Sequence, residues 1–483
     1  MAKNQKIKFG TSGWRGILAE DFTFDNVRIV SQALASEILK DPKAKNGALV
    51  GYDTRFLAEE FAWTVAQVFA GNGIRTYVCH QPTPTPVISF TIRNMDLAGG
   101  VNITASHNPF YWNGIKFNPA NGGPALPEVT KGIETEIERI QRGESQVRYL
   151  AHHEEGFGKL VHSIDPSQEY FTEIRRKIDV DKIARYIKKV AVDLVYGTGI
   201  DYLDYLLNTI LPGEANQGIV FQHDFRDPYF GGYRPEPDKK RLAELGQVVL
   251  EHRAQIGLAL DGDADRFGIV DDKGEPISAN EYLAIVAWHL YKNKGLLGGC
   301  ARSVATSHAM DRVVEHFGYQ TAVTPVGFKY IGDAILNDHI VLGGEESGGL
   351  SIQDHVPEKD GILACLLALE AIAYEEKPIS EIRKMVEEVT GPYYRDRIDL
   401  ELESESKKKE IMDFFSNLQH EVFGLPVKER QTLDGIGFDL SVPDGEAWIL
   451  VRASGTEPVI RIYIESTQES VFRKLTEGVE KLG

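Results

Sequence analysis

Short apolar strands alternate with amphipathic helices at three places along the chain. Each place reads strand, helix, strand: residues 48–53, 58–70 and 75–79, then 190–195, 200–210 and 219–222, then 303–306, 311–317 and 319–323. Such alternation favours mixed α/β sheets whose strands are joined by helical crossovers. Because the three occurrences are widely spaced, the pattern predicts three similar α/β domains and not a short-period solenoid.

The pattern changes near Gly391 and Pro392. The sequence beyond predicts a helix, three strands and a last helix, at 407–419, 437–442, 447–451, 459–465 and from Glu469 onward. Several strands with flanking helices indicate a small C-terminal α+β domain. A chain of 483 residues is too long for one ordinary core. We therefore predict domains at 1–160, 161–277, 278–390 and 391–483.

The charge balance limits the classes of partner that the protein is expected to bind. Asp and Glu number 71 against 53 Lys and Arg, which gives a net charge of −18 and argues against nucleic acid or an anionic membrane surface. Positive charge for a phosphorylated substrate must then be concentrated locally. The three cysteines are scattered and show no disulfide or metal spacing. Without a signal-peptide core or a membrane-spanning apolar run, we expect a cytoplasmic location.

A serine lies beside a histidine in the segment 101–109, directly after an apolar strand. Pro109 stiffens this segment, and Lys116 follows shortly afterwards, so Ser106, His107 and a cation can share one site. A serine can carry a covalent phosphoryl group where an acid or base assists and cations stabilise the charge. A solvated turn with a capping serine and a hydrolase triad are the alternatives, although no G-x-S-x-G pattern surrounds Ser106.

Three alternating carboxylates, Asp261, Asp263 and Asp265, follow a strand that is predicted to be buried. Small residues separate them, so the backbone can curl and direct all three at one point. Hard oxygen ligands at this density suit Mg²⁺. An EF-hand loop needs a glutamate at its twelfth position, where this chain has an aspartate, and a solvated acidic turn is the other alternative. Arg266 follows and can balance the charge or hold a phosphate.

Two polar segments of the third predicted domain are candidates for substrate contacts. In 341–349 a strand ends in Glu345 and Ser347 among glycines, which suits vicinal sugar hydroxyls, although a plain glycine turn is the alternative. Lys359 stands in a polar run before an apolar helix, where a helix cap is the alternative. Lys329 is a lone cation among apolar residues and is a further candidate. An ordinary snorkelling lysine, whose apolar stem packs on the protein while its charge reaches solvent, is the alternative.

The turn between the last two predicted strands resembles a phosphate cradle. It offers one guanidinium, two hydroxyls and a glycine that exposes backbone N–H groups, and another arginine follows on the next strand: Arg452, Ser454, Gly455, Thr456 and Arg461. A tight hairpin with a surface arginine is the alternative.

Together these segments resemble the α-D-phosphohexomutase superfamily, which includes phosphoglucomutases, phosphomannomutases and phosphoglucosamine mutases. The matching segments stand in family order at 104–109, 261–266, 344–349 and 452–458, and the resemblance covers nearly the whole chain. It implies four domains around a central cleft, the first three alike. The fold class is thus expected to be α/β, with three similar mixed α/β domains plus a C-terminal α+β domain.

The resemblance also implies roles for the candidate residues. Ser106 would be phosphorylated and would bind Mg²⁺ together with Asp261, Asp263 and Asp265. Proton transfer and charge stabilisation would fall to Arg15, which stands in a glycine-rich N-terminal segment, and to His107 and Lys116. Glu345 and Ser347 would hold sugar hydroxyls. The remaining substrate contacts would come from Arg266, Lys329, Lys359, Arg452, Ser454, Gly455, Thr456 and Arg461.

The sugar preference is expected to be glucose, because Glu-Glu-Ser at 345–347 resembles phosphoglucomutases. The expected reaction interconverts glucose 1-phosphate and glucose 6-phosphate through glucose 1,6-bisphosphate, in a monomer or a homodimer. Mannose or glucosamine phosphate is an alternative substrate. A non-catalytic sugar-phosphate-binding protein and a phosphatase are alternatives of other classes. At Ala264 the chain departs from the family, where glycine is frequent.

Overall fold

Four β-sheets form the framework of the computed structural model, which describes residues 7–10, 13–211, 218–453 and 459–482. The strands of the first three sheets are β1 Trp14–Ile17, β2 Ala48–Tyr52, β3 Thr76–Cys79, β4 Gly99–Ile103, β5 Trp112–Pro119, β6 Val161–Ile164; β7 Val190–Asp193, β8 Ile219–Gln222, β9 Gly257–Leu260, β10 Phe267–Val270, β11 Pro276–Ile277; β12 Gly299–Ser303, β13 Thr321–Thr324, β14 Ile340–Glu345, β15 Gly349–Ile352. The fourth sheet contains β16 Tyr394–Glu401, β17 Glu421–Val422, β18 Leu425–Gln431, β19 Ile436–Leu440, β20 Ala447–Ala453 and β21 Val459–Ser466.

Helices cover these sheets and connect their strands. They are α1 Phe24–Ile38, α2 Ala58–Gly71, α3 Thr85–Asn94, α4 Pro127–Gln141, α5 Phe157–Leu160, α6 Ser167–Lys177, α7 Val180–Tyr186, α8 Leu203–Ile210, α9 Lys239–His252, α10 Ala279–Lys292, α11 Ala309–His316, α12 Phe328–Asn337, α13 Gly361–Glu375, α14 Ile379–Thr390, α15 Glu405–Asn417 and α16 Glu469–Glu480. Short 3₁₀ turns add Pro42–Asn46 and Phe230–Gly232. No helix of the described ranges is long and apolar enough to cross a membrane.

The first three sheets repeat one arrangement, which confirms the predicted three similar α/β domains. Each has three parallel strands flanked by one antiparallel strand: β4-β2-β3 with β5, β9-β7-β8 with β10, and β14-β12-β13 with β15. The central strands β2, β7 and β12 are buried along nearly their whole length, as parallel strands covered by helices on both faces must be. In each sheet the antiparallel strand follows directly after a parallel neighbour, so a short loop connects the two at the same sheet edge.

The second and third sheets share one hydrophobic core, while the first and the fourth have cores of their own. The shared core surrounds α13, whose residues 361–373 are all buried. This helix packs against α7, β9 and β10 of the second domain and against α10, α14 and β15 of the third domain. An α-helix that is apolar on every side needs such complete enclosure.

The C-terminal domain is an antiparallel sheet in the order β16-β21-β20-β19-β18-β17, with α15 and α16, as the predicted α+β class requires. The sequence-based interpretation found β19, β20, β21 and both helices but missed β16, β17 and β18. At the first predicted boundary, β6 begins at Val161 and pairs with β3, so the first sheet continues a few residues beyond 160. The domain boundaries remain predictions.

We expect Leu366→Ala, in the middle of α13, to lower the free energy of unfolding by about 2 to 5 kcal/mol, because it leaves a cavity in the core shared by two domains. Leu297, which is 72% exposed, is the matched control, and its substitution by alanine should change stability by less than about 0.5 kcal/mol. Urea unfolding followed by circular dichroism measures both. Equal effects of the two substitutions would contradict the shared core.

Candidate active site

Three loops with candidate residues occupy the same topological position in the three similar sheets. The serine loop, residues 104–111, connects β4 to β5; the acidic loop, residues 261–266, connects β9 to β10; the sugar loop, residues 345–348, leads from β14 into β15. All three lie at the carboxyl ends of parallel strands, where open α/β sheets usually bind ligands. The sugar loop also meets the end of the acidic loop, since the N–H of Phe267, the residue directly after that loop, donates to the Gly348 carbonyl at 3.0 Å.

The serine loop places the Ser106 hydroxyl on the acidic loop. Ser106 Oγ donates a hydrogen bond to Asp261 Oδ2 at 2.9 Å and lies 3.3 Å from His107 Nδ1. Its backbone has φ of +51°, a left-handed conformation that is uncommon for residues other than glycine. The N–H of Ser106 donates to Thr104 Oγ1 at 2.8 Å, which stabilises this turn. Ser106 is only 2% exposed, so its hydroxyl faces an enclosed site.

The acidic loop curls around one of its own carboxylates. Asp261 Oδ1 accepts hydrogen bonds from the backbone N–H groups of Asp265 at 3.0 Å and Arg266 at 3.1 Å. Ala264 has φ of +57°, which explains why glycine suits this position. Carboxylate oxygens of Asp261, Asp263 and Asp265 lie within 4.8 Å of one another, and all three residues are buried.

Two lysines from other parts of the fold balance the acidic loop. Lys116 Nζ, on β5, lies 2.6 Å from Asp263 Oδ2 and 2.8 Å from Asp265 Oδ2. Lys359 Nζ lies 2.9 Å from the same oxygen of Asp265. Burial alone would lower the pKa of Lys116, but Asp263 and Asp265 raise it above its usual value. Although burial favours the neutral carboxyl, the two lysines hold the pKa of Asp265 well below its usual range.

The acidic loop fits a hard divalent cation. Asp263 Oδ1 and Asp265 Oδ1 are buried and have no hydrogen-bond partner among the described residues. Burial, followed by the charges of Asp265 and Asp263, raises the pKa of Asp261 well above its usual value, and a bound cation would relieve this cost. Carboxylate oxygens are the ligands that Mg²⁺ prefers. The donor set therefore matches the predicted metal.

Cationic side chains surround the serine. Arg15 Nη1 donates to Asn108 Oδ1 in the serine loop, and burial lowers the pKa of Arg15. Burial opposes a charge on Arg266, but Asp261 and the neighbouring carboxylates raise its pKa. Burial, and then the charges of Arg266 and Arg15, lowers the pKa of His107 far below its usual value, so its imidazole is neutral at physiological pH.

The two glutamates of the sugar loop have different surroundings. Ser347 Oγ donates to Glu345 Oε1 at 2.7 Å, and burial, together with the adjacent charge of Glu346, raises the pKa of Glu345. Glu346 instead accepts a hydrogen bond from Ser303 Oγ at 3.0 Å and contacts Thr306. Glu345 and Ser347 thus form one polar pair, and Glu346 is bonded to the end of β12 and the residues that follow it.

The C-terminal candidates form a separate group. Arg452 Nη2 donates to Asp434 Oδ2 at 2.9 Å, and the same oxygen accepts the Val326 N–H at 2.9 Å. Arg461 faces Arg452 across the β20–β21 pair, and Lys329 is half-buried at the start of α12. None of the described hydrogen bonds or ion pairs joins this group to Ser106. Ser454, Gly455 and Thr456 lie outside the described residues.

Sequence reasoning missed two residues that contact the serine and acidic loops. Thr85 Oγ1 donates to Asp263 Oδ2 at 2.6 Å, and the Thr85 N–H donates to the Asp263 carbonyl at 3.0 Å. Arg55, fully buried, donates to the Ser106 carbonyl at 2.6 Å. Arg55 could have been suspected, because it follows β2, the central parallel strand beside β4, at the edge where the serine loop begins.

Comparison with known proteins identifies the family. Models of the phosphoglucomutase/phosphomannomutase family match in order along the chain: α/β/α domain I at residues 6–144, domain II at 168–274, domain III at 278–389 and the C-terminal domain at 438–482. The chain belongs to the α-D-phosphohexomutase superfamily. The resemblance seen in the sequence is therefore confirmed.

Relatives in this superfamily are named for different sugars. The phosphoglucomutase of Komagataeibacter xylinus is 30% identical and covers 97% of this chain and 89% of its own. The phosphoglucosamine mutase of Bdellovibrio bacteriovorus is 27% identical and covers 99% of this chain and 98% of its own. The crystal structure of a candidate phosphomannomutase from Thermus thermophilus is 32% identical, with a TM-score of 0.83 and 99% coverage of both chains. This phosphohexomutase is thus an intramolecular phosphotransferase of the isomerase class.

We expect Gly262→Ala to lower kcat by at least about 10-fold, because the new Cβ would stand 2.8 Å from the Ser106 carbonyl and 3.0 Å from Pro235 Cγ, forcing the serine and acidic loops apart. Gly158→Ala, where a Cβ meets open space, is the control and should leave kcat unchanged. Steady-state mutase assays on both variants, with melting temperatures, measure the effect. Normal turnover by Gly262→Ala would show that the loop contact is dispensable.

Proposed function

We propose that this phosphohexomutase interconverts glucose 1-phosphate and glucose 6-phosphate through a phosphorylated Ser106 and a glucose 1,6-bisphosphate intermediate. The observation that supports this most strongly is the 2.9 Å hydrogen bond from Ser106 Oγ to Asp261 Oδ2, which joins the nucleophile to a three-carboxylate cluster from another domain. A serine at that distance from a cation-binding cluster can carry a phosphoryl group whose charge is balanced.

In the first half-reaction the free hydroxyl of a sugar monophosphate attacks the phosphorus on Ser106. The new sugar–phosphate bond forms as the Ser106 Oγ–phosphorus bond breaks, and the proton released by the sugar hydroxyl ends on Oγ. Neutral His107, with Nδ1 at 3.3 Å from Oγ, is suited to relay this proton. After the bisphosphate turns over, Ser106 takes the other phosphoryl group by the reverse steps.

Asp261, Asp263 and Asp265 would hold Mg²⁺ together with the phosphoserine. When bound, Mg²⁺ neutralises charge on the transferring phosphoryl oxygens. Arg15, bonded to the serine loop, and Lys116, bonded to Asp263 and Asp265, supply fixed positive charge beside the reacting group. Their contacts are present before any substrate arrives, so little reorganisation is needed during transfer.

The remaining candidate residues divide into those for the sugar and those for its non-reacting phosphate. Glu345 accepts hydrogen bonds from sugar hydroxyls and Ser347 donates them, with Arg266 and Lys359 as nearby cations. Lys329, half-buried at the start of α12, is a further cation for the substrate. The non-reacting phosphate binds in the C-terminal domain, through Arg452, Ser454, Gly455, Thr456 and Arg461. The cytoplasmic location and the monomeric or homodimeric state remain predictions.

Ser106→Ala should lower mutase turnover by at least about 1,000-fold in the presence of glucose 1,6-bisphosphate, because no hydroxyl remains to accept the phosphoryl group. Intact-mass measurement should show one phosphoryl group on the parent protein and none on the variant. Ser163→Ala, at an exposed position on β6, is the control and should match the parent in both assays. The proposal fails if Ser106→Ala retains parental rates.

The glucose assignment predicts that kcat/KM for glucose 1-phosphate exceeds the values for mannose 1-phosphate and glucosamine 1-phosphate by at least about 10-fold. It rests on the Glu-Glu-Ser sequence of the sugar loop, because relatives of similar identity are named for three different sugars. Parallel coupled assays on the three sugar 1-phosphates measure this order. A preference for mannose or glucosamine would change the substrate and leave the phosphoserine chemistry intact.

A further inference from the structure

Arg55 donates hydrogen bonds to the backbone of the serine loop with both ends of its guanidinium group. Nη2 donates to the carbonyls of Ser106 at 2.6 Å and Asn108 at 2.7 Å, and Nη1 donates to those of Pro109 at 2.8 Å and Trp112 at 3.1 Å. A guanidinium group has five N–H donors, and these contacts use the four on its terminal nitrogens. One fully buried side chain therefore ties together four carbonyls in and directly after a single loop.

Asp53 and Phe230 hold this guanidinium group in place. The fifth donor, Arg55 Nε, lies 3.0 Å from Asp53 Oδ2, and the Arg55 N–H donates to Asp53 Oδ1 at 2.9 Å. The Phe230 ring of the second domain covers the group, with its centroid 5.0 Å from Cζ. Asp53 is also fully buried, and its N–H donates to the carbonyl of Ile103, the last residue of β4. Asp53, which directly follows β2, thus orients the Arg55 side chain that contacts the serine loop.

The position of the Ser106 carbonyl matters because it is constrained from two sides. Arg55 binds this carbonyl on one side. Gly262 of the acidic loop approaches it on the other side, so closely that a Cβ atom on residue 262 would collide with the carbonyl oxygen. Ser106 has a positive φ, which a residue with a side chain adopts only when its surroundings impose it. Fixing the carbonyl fixes the direction of the Cα–Cβ bond, and hence where the hydroxyl meets Asp261.

We propose that Arg55, oriented by Asp53, is a positioning residue that sets the Ser106 hydroxyl for phosphoryl transfer. This inference rests on the proposed role of Ser106 and assigns a function to a side chain that contacts the serine loop only through backbone carbonyls. Near-attack geometry is sensitive to displacements of about 1 Å, which cost on the order of 100-fold in rate. Loss of the Arg55 contacts should therefore reduce kcat and leave the KM for the sugar phosphate nearly unchanged.

The test compares Arg55→Lys with Arg302→Lys. Lysine keeps the charge but cannot reproduce the planar fork that reaches four carbonyls. Arg302 is a matched control: it is also buried and bonded to an aspartate, with Nε 2.8 Å from Asp311 Oδ1 and Nη2 2.6 Å from Asp311 Oδ2, but it lies on β12, away from the serine loop. Melting temperature, kcat, KM and the phosphorylation of Ser106 by glucose 1,6-bisphosphate are measured for both variants.

We expect both variants to lose similar thermal stability, and only Arg55→Lys to lose about 100-fold in kcat and to phosphorylate Ser106 slowly. Arg55→Ala, assayed below its melting temperature, should regain rate when guanidinium ion is added at non-denaturing concentration, whereas Arg302→Ala should not. If Arg55→Ala does not fold, Asp53→Asn gives the second measurement, with a smaller loss of kcat than Arg55→Lys.

The inference is overturned if Arg55→Lys keeps parental kcat, or if its loss of rate merely follows its loss of stability as in the Arg302 control. Failure of the proposed function gives a different result, because the parent protein itself would then show no phosphorylated Ser106 and Ser106→Ala would retain activity. The two failures are therefore distinguishable in the same set of assays.

Discussion

Three buried carboxylates in one turn can persist only because cations from other parts of the fold reach them. Removing charged groups from water costs several kcal/mol each unless opposite charges and hydrogen bonds compensate. Here Lys116 comes from the first domain and Lys359 from the third, and both lie on Asp265 of the second. The electrostatic cost of the acidic loop is therefore met only when the three domains are assembled, so the same interactions that build the site also hold the domains together.

This constraint explains how an acidic protein can accept an anionic substrate. The net charge is −18, yet around Ser106 the side chains of Arg15, Arg266, Lys116 and Lys359 concentrate positive charge within a buried region. Besides burial, the charges of Arg266, Arg15 and Lys116 help to keep His107 neutral. Because the lysines are already bonded to aspartates, binding of a cation and a phosphate rearranges existing charge pairs and does not bury new unpaired ones.

Much of the fold follows from local sequence, because its signals are strong. Strands β2, β7 and β9 are buried along their whole length, as central parallel strands must be, and α13 is apolar on nearly all sides. Strands β16 and β18 escaped detection because most of their residues are at least partly exposed and carry charges, so they lack an apolar run. The first strand of the third repeat was predicted several residues too late, at 303–306 instead of Gly299–Ser303, since β12, with the sequence GCARS, contains little that marks a strand.

The candidate site was predictable to the extent that its residues stand in recognisable segments. Ser106 and the three aspartates could be found in this way, and the structure brings them into contact, although their catalytic roles remain predictions. Arg55 could be suspected from its place after β2, but its contacts and those of Thr85 could not be found, because they depend on which loop packs beside each residue. Every residue has a backbone carbonyl, so a side chain that binds carbonyls does not require particular residues as partners. Such contacts therefore leave no pattern in the sequence.

The distribution of cores and ion pairs distinguishes the C-terminal domain from the three others. Buried ion pairs between domains join the regions around the serine, acidic and sugar loops, since Lys116 of β5 contacts Asp263 and Lys359 contacts Asp265. The C-terminal domain has its own core, and it contacts the third domain through polar groups such as Asp434 with Val326 and through a small apolar cluster of Val304, Ala305, Trp448, Leu450 and Tyr463. Arg452, the phosphate-binding candidate, thus belongs to a domain with a core of its own, whereas the three loops lie on domains joined by buried ion pairs. This is the division that a mutase needs if one phosphate site must release, and then hold again, an intermediate that turns over.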